Sequence, residues 1–119
     1  MDEEGRVAIL GRAKDVIISG GLNIYPKEIE DELDAIDGIA ESAVIGIPHP
    51  DLGEGVVAVV IAKGIVPGES EIIAALALRL AKFKLPRRIF ATPELPRNAM
   101  GKVQKAELRK LHAHTFTRA

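Results

Sequence analysis

Lys102 is the residue whose setting in the sequence best suits chemistry. It lies in the run Leu95-Pro96-Arg97-Asn98-Ala99-Met100-Gly101-Lys102-Val103, a loop shaped by proline and glycine just ahead of a predicted helix. A lysine there can present a compact point charge to a phosphate. The run is not a P-loop. That pattern needs Gly at 96, where this chain has Pro, and Ser or Thr at 103, where it has Val. A solvated loop lysine is the alternative reading. A second charged turn holds Lys14 and Asp15, either a solvated pair or a pivot that absorbs dihedral change between rigid pieces. Just beyond it, Gly20-Gly21 is either a tight turn between strands or a place where backbone approaches a ligand. His49, His112 and His114 have no acidic or histidine neighbours at metal-ligand spacing, so no metal site is expected. The carboxylates of 27–36 read as a solvated helix face. No nucleophile, base and oxyanion donors occur together.

The composition narrows the classes. The chain has 119 residues, enough for one domain with one modest core. It has no Cys and no Trp, and only one Tyr, so the core is aliphatic, and disulfides, thiolate metal sites and cysteine nucleophiles are excluded. No apolar run is long enough for a membrane helix and no signal peptide is visible, so no membrane partner and a cytoplasmic location are expected. The net charge of −1 conceals a division. Residues 1–81 carry 6 Lys/Arg against 15 Asp/Glu, whereas residues 82–119 carry 10 against 2. A basic last third suits a polyphosphate ligand or an acidic partner. It lacks the aromatic interleaving and motifs of a nucleic-acid domain, so no nucleic acid is expected.

The elements that position these residues can be read in order. Arg6 to Leu10 reads as a strand, and the start suggests a chain cut from something larger. Asp15–Ser19 and Leu22–Tyr25 read as a hairpin around Gly20-Gly21. Pro26 suits a first helical position, and Ile29, Leu33 and Ile36 recur at helical spacing over 27–36. Ile39–Ile47 and Val56–Lys63 read as strands able to pair antiparallel, joined by a loop over 48–55. Glu69–Lys82 reads as a helix with Ile72, Ile73, Leu76, Leu80 and Phe83 on its buried side. Arg88–Thr92 is a third strand, and Val103 to about His112 a closing helix with Leu108 and Leu111 inward. The tail is expected to fray. The predicted fold is α+β: a small three-stranded sheet covered by helices, with a separate N-terminal β-hairpin.

Two stretches go further. The run from Gly11 to Glu30, with Lys14-Asp15, Ser19-Gly20-Gly21 and Tyr25-Pro26-Lys27-Glu28-Ile29-Glu30, resembles the hinge motif of the adenylate-forming superfamily. That superfamily contains acyl-CoA synthetases, luciferases and peptide-synthetase adenylation domains. The run from Leu95 to Lys105 resembles its C-terminal lysine motif, and Gly46 to Glu54 and Phe83-Lys84-Leu85-Pro86 also look like the family. The resemblance covers nearly the whole chain and is to the small C-terminal domain.

It implies the following. Residues 1–13 are the end of a large N-terminal domain, 14–112 the mobile C-terminal domain and 113–119 a flexible tail. The full enzyme converts a carboxylic acid, ATP with Mg2+ and CoA into acyl-CoA through an acyl-adenylate. The isolated domain is inactive and binds no cofactor tightly. Lys102 matches the adenylation lysine and Lys14 the hinge. Gly20 and Gly21 match glycines lining the pantetheine tunnel, where a Cβ would narrow the passage. Phe83 matches a position near the CoA adenine, with Lys84, Arg87 and Arg88 placed for CoA phosphates. Lys102 also resembles a site modified by protein acetyltransferases and cleared by deacetylases. The acid expected is small or dicarboxylic, such as malonate. The alternatives are a stand-alone module binding an acidic partner without catalysis, and an adenylation domain of luciferase or peptide-synthetase type.

Overall fold

The apolar run Val56–Ile61 forms the middle strand of the molecule. In the computed structural model, which describes residues 16–65 and 68–116, it lies within β4 (Gly53–Ala62). Strand β3 (Ile39–His49) pairs antiparallel along one edge of β4, from Ile39↔Ala62 to His49↔Gly53. Strand β5 (Arg88–Thr92) pairs parallel along the other edge, from Val57↔Arg88 to Ile61↔Thr92. The short hairpin of β1 (Ile17–Ser19) and β2 (Leu22–Ile24) joins at Ser19↔Gly53. The expected three-stranded sheet is therefore β3-β4-β5. The hairpin is not separate from it but extends it to five strands in one sheet.

Both faces of this sheet are covered, which is why β4 has no polar alternation. One face carries Val44, Val56, Ala58 and Val60 under α1 (Pro26–Asp34), α2 (Glu69–Ala77) and the hairpin residues Ile17 and Ile24. Ile29 and Leu33 of α1, and Ile72 and Leu76 of α2, are the helical contributions. The other face carries Ala43, Ile45, Ile47, Val57 and Val59 under Leu95 and Leu108, the latter from α3 (Lys105–Leu111). Helix α1 starts as its sequence suggests, with Pro26 in the first turn, where its missing N–H leaves no donor unpaired. Helix α2 begins after Gly68, whose N–H donates to the Glu71 carboxylate at 3.2 Å.

Four boundaries differ from expectation. The β3–β4 connection is a turn over 50–52 rather than a loop over 48–55. His49 Nδ1 accepts from the backbone N–H of Asp51 (3.0 Å) and Leu52 (3.2 Å), and Gly53 takes φ +84° to re-enter the sheet. Helix α2 stops at Ala77, because Leu80 turns back into the core and a 3-10 turn follows at Lys82–Lys84. Phe83 sits on that turn and is 43% exposed instead of buried. Leu111 is 73% exposed, because the seven-residue α3 ends there, past the sheet that Leu108 covers. The tail does not fray at once: Phe116 packs against the second core cluster and its ring lies 5.0 Å from that of His49. The 1–13 segment and the Lys14 hinge fall outside the described residues.

His112 supplies a pH prediction. Its ring stacks on Phe90 with centroids 4.6 Å apart, and burial holds its pKa below the ordinary value of 6.5. A depressed histidine pKa means the unfolded chain binds the proton more readily. Stability should therefore be full above pH 6.5 and fall as pH drops through that value toward the folded pKa. Urea midpoints of the wild type and a His112→Phe variant, compared at pH 7.5 and pH 5, should differ most at the lower pH.

Candidate functional site

Two presented features stand at opposite ends of β4. The first is the Lys102 turn. Arg97 and Val103 pair as an isolated antiparallel bridge, and Asn98 N–H donates to the Lys102 carbonyl at 2.9 Å. Asn98 Oδ1 accepts from the N–H of Met100 (2.9 Å) and Lys102 (3.0 Å). Asparagine fills such a role because its side-chain carbonyl mimics a backbone acceptor in tight turns. Gly101 has φ +83°, a conformation that favours glycine, and its N–H closes on the Asn98 carbonyl at 2.9 Å. Met100 and Lys102 are left exposed at the tip. The Lys102 ammonium has no ion-pair partner among the described residues, unlike Lys84, Arg88, Arg97 and Lys105.

The turn is tied to the body through charge. Arg97 pairs with Glu41 of β3, and Arg97 Nη1 donates to the Gly101 carbonyl at 3.0 Å. Just beyond, Lys105 pairs with Glu30 of α1 at 2.8 Å, with side chains only 19% and 16% exposed. The same Glu30 oxygen accepts from Val44 N–H at 2.8 Å on the outer edge of β3. Sequence reading placed Glu30 on a solvated face. It closes an edge strand and anchors the last helix instead.

The second feature is a groove of about 800 Å³ between the hairpin and the 3-10 turn. Gly20, Leu22 and Leu52 line one side, and Phe83, Pro86 and Arg87 the other. Gly20 N–H donates to the Leu52 carbonyl at 2.9 Å, which seats the hairpin on the β3–β4 turn. Gly20 and Gly21 have φ +60° and +82°, so the turn needs glycine for its backbone alone. A Cβ on Gly20 would meet Leu52, whereas one on Gly21 would meet nothing within 4 Å.

The groove thus gathers Gly20, Phe83 and Arg87 of the expected CoA residues, with Gly21 on the same turn. Lys84 is instead ion-paired to Glu28 at 2.9 Å. Arg88 is paired to Glu69 at 3.2 Å and stacked over Phe90. The Glu69 carboxylate is held below its ordinary pKa, first by the Ile89 N–H and then by Arg88, against the opposing effect of burial. Among the described residues no group of His, Cys, Asp or Glu is gathered to hold a metal ion, and no helix is long and apolar enough to cross a membrane.

Glu54 was not singled out from sequence as a site residue. Its Oε1 accepts from Ile18 N–H at 2.9 Å, locking β1 to β4 beside the groove. It fits because Gly46 has no side chain: a Cβ there would stand 2.9 Å from Glu54 Oε2 and 3.1 Å from Ile17. Gly46→Ala should therefore cost about 1–2 kcal/mol through overpacking. A lowered urea midpoint together with faster exchange of the Ile18 amide is the expected result.

The two features are separated along the sheet. Glu41, which holds the Lys102 turn, lies opposite Ile61, and the hairpin joins β4 at Gly53. Eight strand residues at about 3.3 Å each put roughly 26 Å between these anchor points.

Comparison with known proteins identifies the family of the chain. Residues 28–102 match the model of the AMP-binding enzyme C-terminal domain. A methyl-dioxo-octahydroindenyl-propanoyl:CoA ligase of Rhodococcus jostii is 48% identical over 111 residues, 92% of this chain and 22% of the relative. The long-chain-fatty-acid–CoA ligase FadD13 of Mycobacterium tuberculosis is 41% identical over 97% of this chain and 23% of its own length. Crystalline MatB from Rhodopseudomonas palustris superposes with a TM-score of 0.86 at 50% identity, covering 89% of this chain and 21% of that one. The chain thus spans about a fifth of the length of the relatives it matches. With a family model covering more than half of its residues, this chain belongs to the AMP-binding enzyme C-terminal domains.

Proposed function

We propose that this chain serves as the mobile C-terminal domain of an AMP-forming acid–thiol ligase. The enzyme joins a carboxylic acid to CoA in two steps. In the first, a carboxylate oxygen attacks the α-phosphorus of ATP, with Mg2+ on the phosphates, and pyrophosphate leaves. Lys102 neutralises charge gathering on the carboxylate and α-phosphate oxygens. In the second, the CoA thiol attacks the acyl carbonyl, loses its proton, and AMP leaves. Gly20 and Gly21 then line the passage for pantetheine, with Phe83 and Arg87 toward the CoA head group. Lys84 and Arg88 reach CoA phosphates only by giving up their pairs with Glu28 and Glu69.

The observation that carries this reading is the separation of the Lys102 turn from the Gly20 groove along one rigid sheet. Anchors roughly 26 Å apart cannot serve one reaction centre in one orientation. A rotation of the whole domain between steps satisfies both, with Lys14 as pivot. The acid itself is selected elsewhere: similar chains belong to ligases named for a ring-bearing propanoate and a long-chain fatty acid. A small dicarboxylic acid such as malonate is the working substrate to try first. Acetylation of Lys102 would remove its charge and silence the first step, giving an acetyltransferase and deacetylase a point of control. The cytoplasm is the compartment in which this chemistry is placed.

The test is a fusion of this chain behind the large domain of R. palustris MatB, assayed for AMP release from ATP, malonate and CoA. Activity is expected from the fusion and from neither part alone. No activity with any linker would count against the ligase reading and in favour of a stand-alone binding module.

A further inference from the structure

We infer that Arg97 and Glu41 are positioning residues for Lys102, an inference that rests on reading Lys102 as the adenylation lysine. The turn has two kinds of bond. The Asn98 bonds, from Met100 N–H, from Lys102 N–H and to the Lys102 carbonyl, fix its internal shape. They do not fix where the turn sits on the sheet. Leu95 and Val103, packed in the second core cluster, seat its base, and the Arg97 guanidinium ties its tip to β3. Nη1 holds the Gly101 carbonyl, the peptide oxygen immediately before Lys102, and Nη2 holds Glu41 Oε1 on β3, 56 residues away in sequence. One planar fork therefore links the base of the lysine to the most extensive strand pairing in the fold.

This geometry has an energetic corollary. Both side chains of the pair are 37% exposed, and half-exposed ion pairs contribute little to folding stability. Its effect lies in placement. Lys102 reaches its target through a long flexible stem, so a shift at Gly101 is carried to the ammonium. A misplacement of about 1 Å is enough to slow a reaction by up to about 100-fold. Lysine in place of Arg97 would keep the charge toward Glu41 but lacks the fork that also reaches Gly101. The neighbouring Lys105–Glu30 pair holds the helix after the turn and leaves the turn's own tilt to Arg97.

The experiment uses the fusion described above, with the two half-reactions measured separately: pyrophosphate exchange for adenylation, and thioester formation from supplied acyl-adenylate. Arg97→Ala and Glu41→Ala are each expected to lower the adenylation kcat by about 10-fold or more. The KM for ATP should stay within about 2-fold, because the lost interaction belongs to the transition state. Thioester formation and the melting temperature should be unchanged. Glu41→Gln, which keeps an acceptor, and Arg97→Lys should recover part of the loss. In the 119-residue chain itself, backbone order parameters at Ala99–Lys102 should fall in both alanine variants, from about 0.85 toward 0.6.

Three results would overturn the proposal: adenylation unaffected by Glu41→Ala, equal loss of both half-reactions, or a raised KM for ATP in Arg97→Ala alone. The last would mean that Arg97 touches the nucleotide itself. Lys102→Ala run alongside separates the two ideas. If it keeps full adenylation, the reading of Lys102 fails. If it loses adenylation while both alanine variants keep it, only the positioning role fails.

Discussion

Lys102→Ala in the active fusion is expected to reduce acyl-adenylate formation by about 10²- to 10³-fold, a loss of about 3–4 kcal/mol of transition-state stabilisation. Thioester formation from supplied acyl-adenylate should survive. The size follows from the setting. The Lys102 ammonium has no ion-pair partner among the described residues, so the proposed role at the phosphate takes its charge from no other group. Its turn is shaped in advance by the Asn98 bonds, so little reorganisation is left for the reacting state. An arginine would carry the charge on a broader plane and should restore only part of the rate. The measurement is the ratio of the two half-reaction rates. An equal fall in both would sink the idea of two alternating faces.

Gly20→Leu should give the opposite pattern. Gly20 has φ +60°, and a side chain there costs about 1–2 kcal/mol in backbone strain alone. Its Cβ would stand 3.4 Å from Leu52, at the mouth of the groove shared with Phe83 and Arg87. The rest of the leucine would project into the groove that the proposed function assigns to pantetheine. Thioester formation should fall at least about 10-fold, and adenylation should continue. Gly20→Ala serves as the gentler companion, with nearly the same strain and a smaller obstruction. If both variants lose adenylation as heavily as thioester formation, the hairpin acts through folding and not as a passage.

The expected behaviour of these variants depends on features with different origins. The hairpin was legible in one dimension, because the β-branched run Val16-Ile17-Ile18 leads into Gly20-Gly21 and a glycine pair permits the positive φ of a tight turn, which both glycines take. The start of α1 was legible from Pro26 and the spacing of Ile29 and Leu33. Strand β4 was legible from its apolar run, and Lys102 from a loop whose Pro and Gly expose it. These are local signals, in which a residue type restricts its own backbone or its immediate neighbours.

What tertiary structure decided is of another kind. Burial of β4 on both faces depends on α3 returning to the side opposite α1 and α2. The early end of α2, and with it the exposure of Phe83, depends on Leu80 finding the core in place of another helical turn. Leu111 continues the helical spacing from Leu108, yet the sheet ends before reaching it. Glu30, Glu41 and Glu54 read alike along the chain as solvated acids. Each is fixed by a partner that only the sheet register brings near: Lys105 with Val44 N–H, Arg97, and Ile18 N–H. A carboxylate's preference for a cation or a backbone donor is local chemistry, but which one it meets is set by long-range pairing. The residues that could act were therefore written in the sequence, while their separation along the sheet and their supports were settled only by the fold.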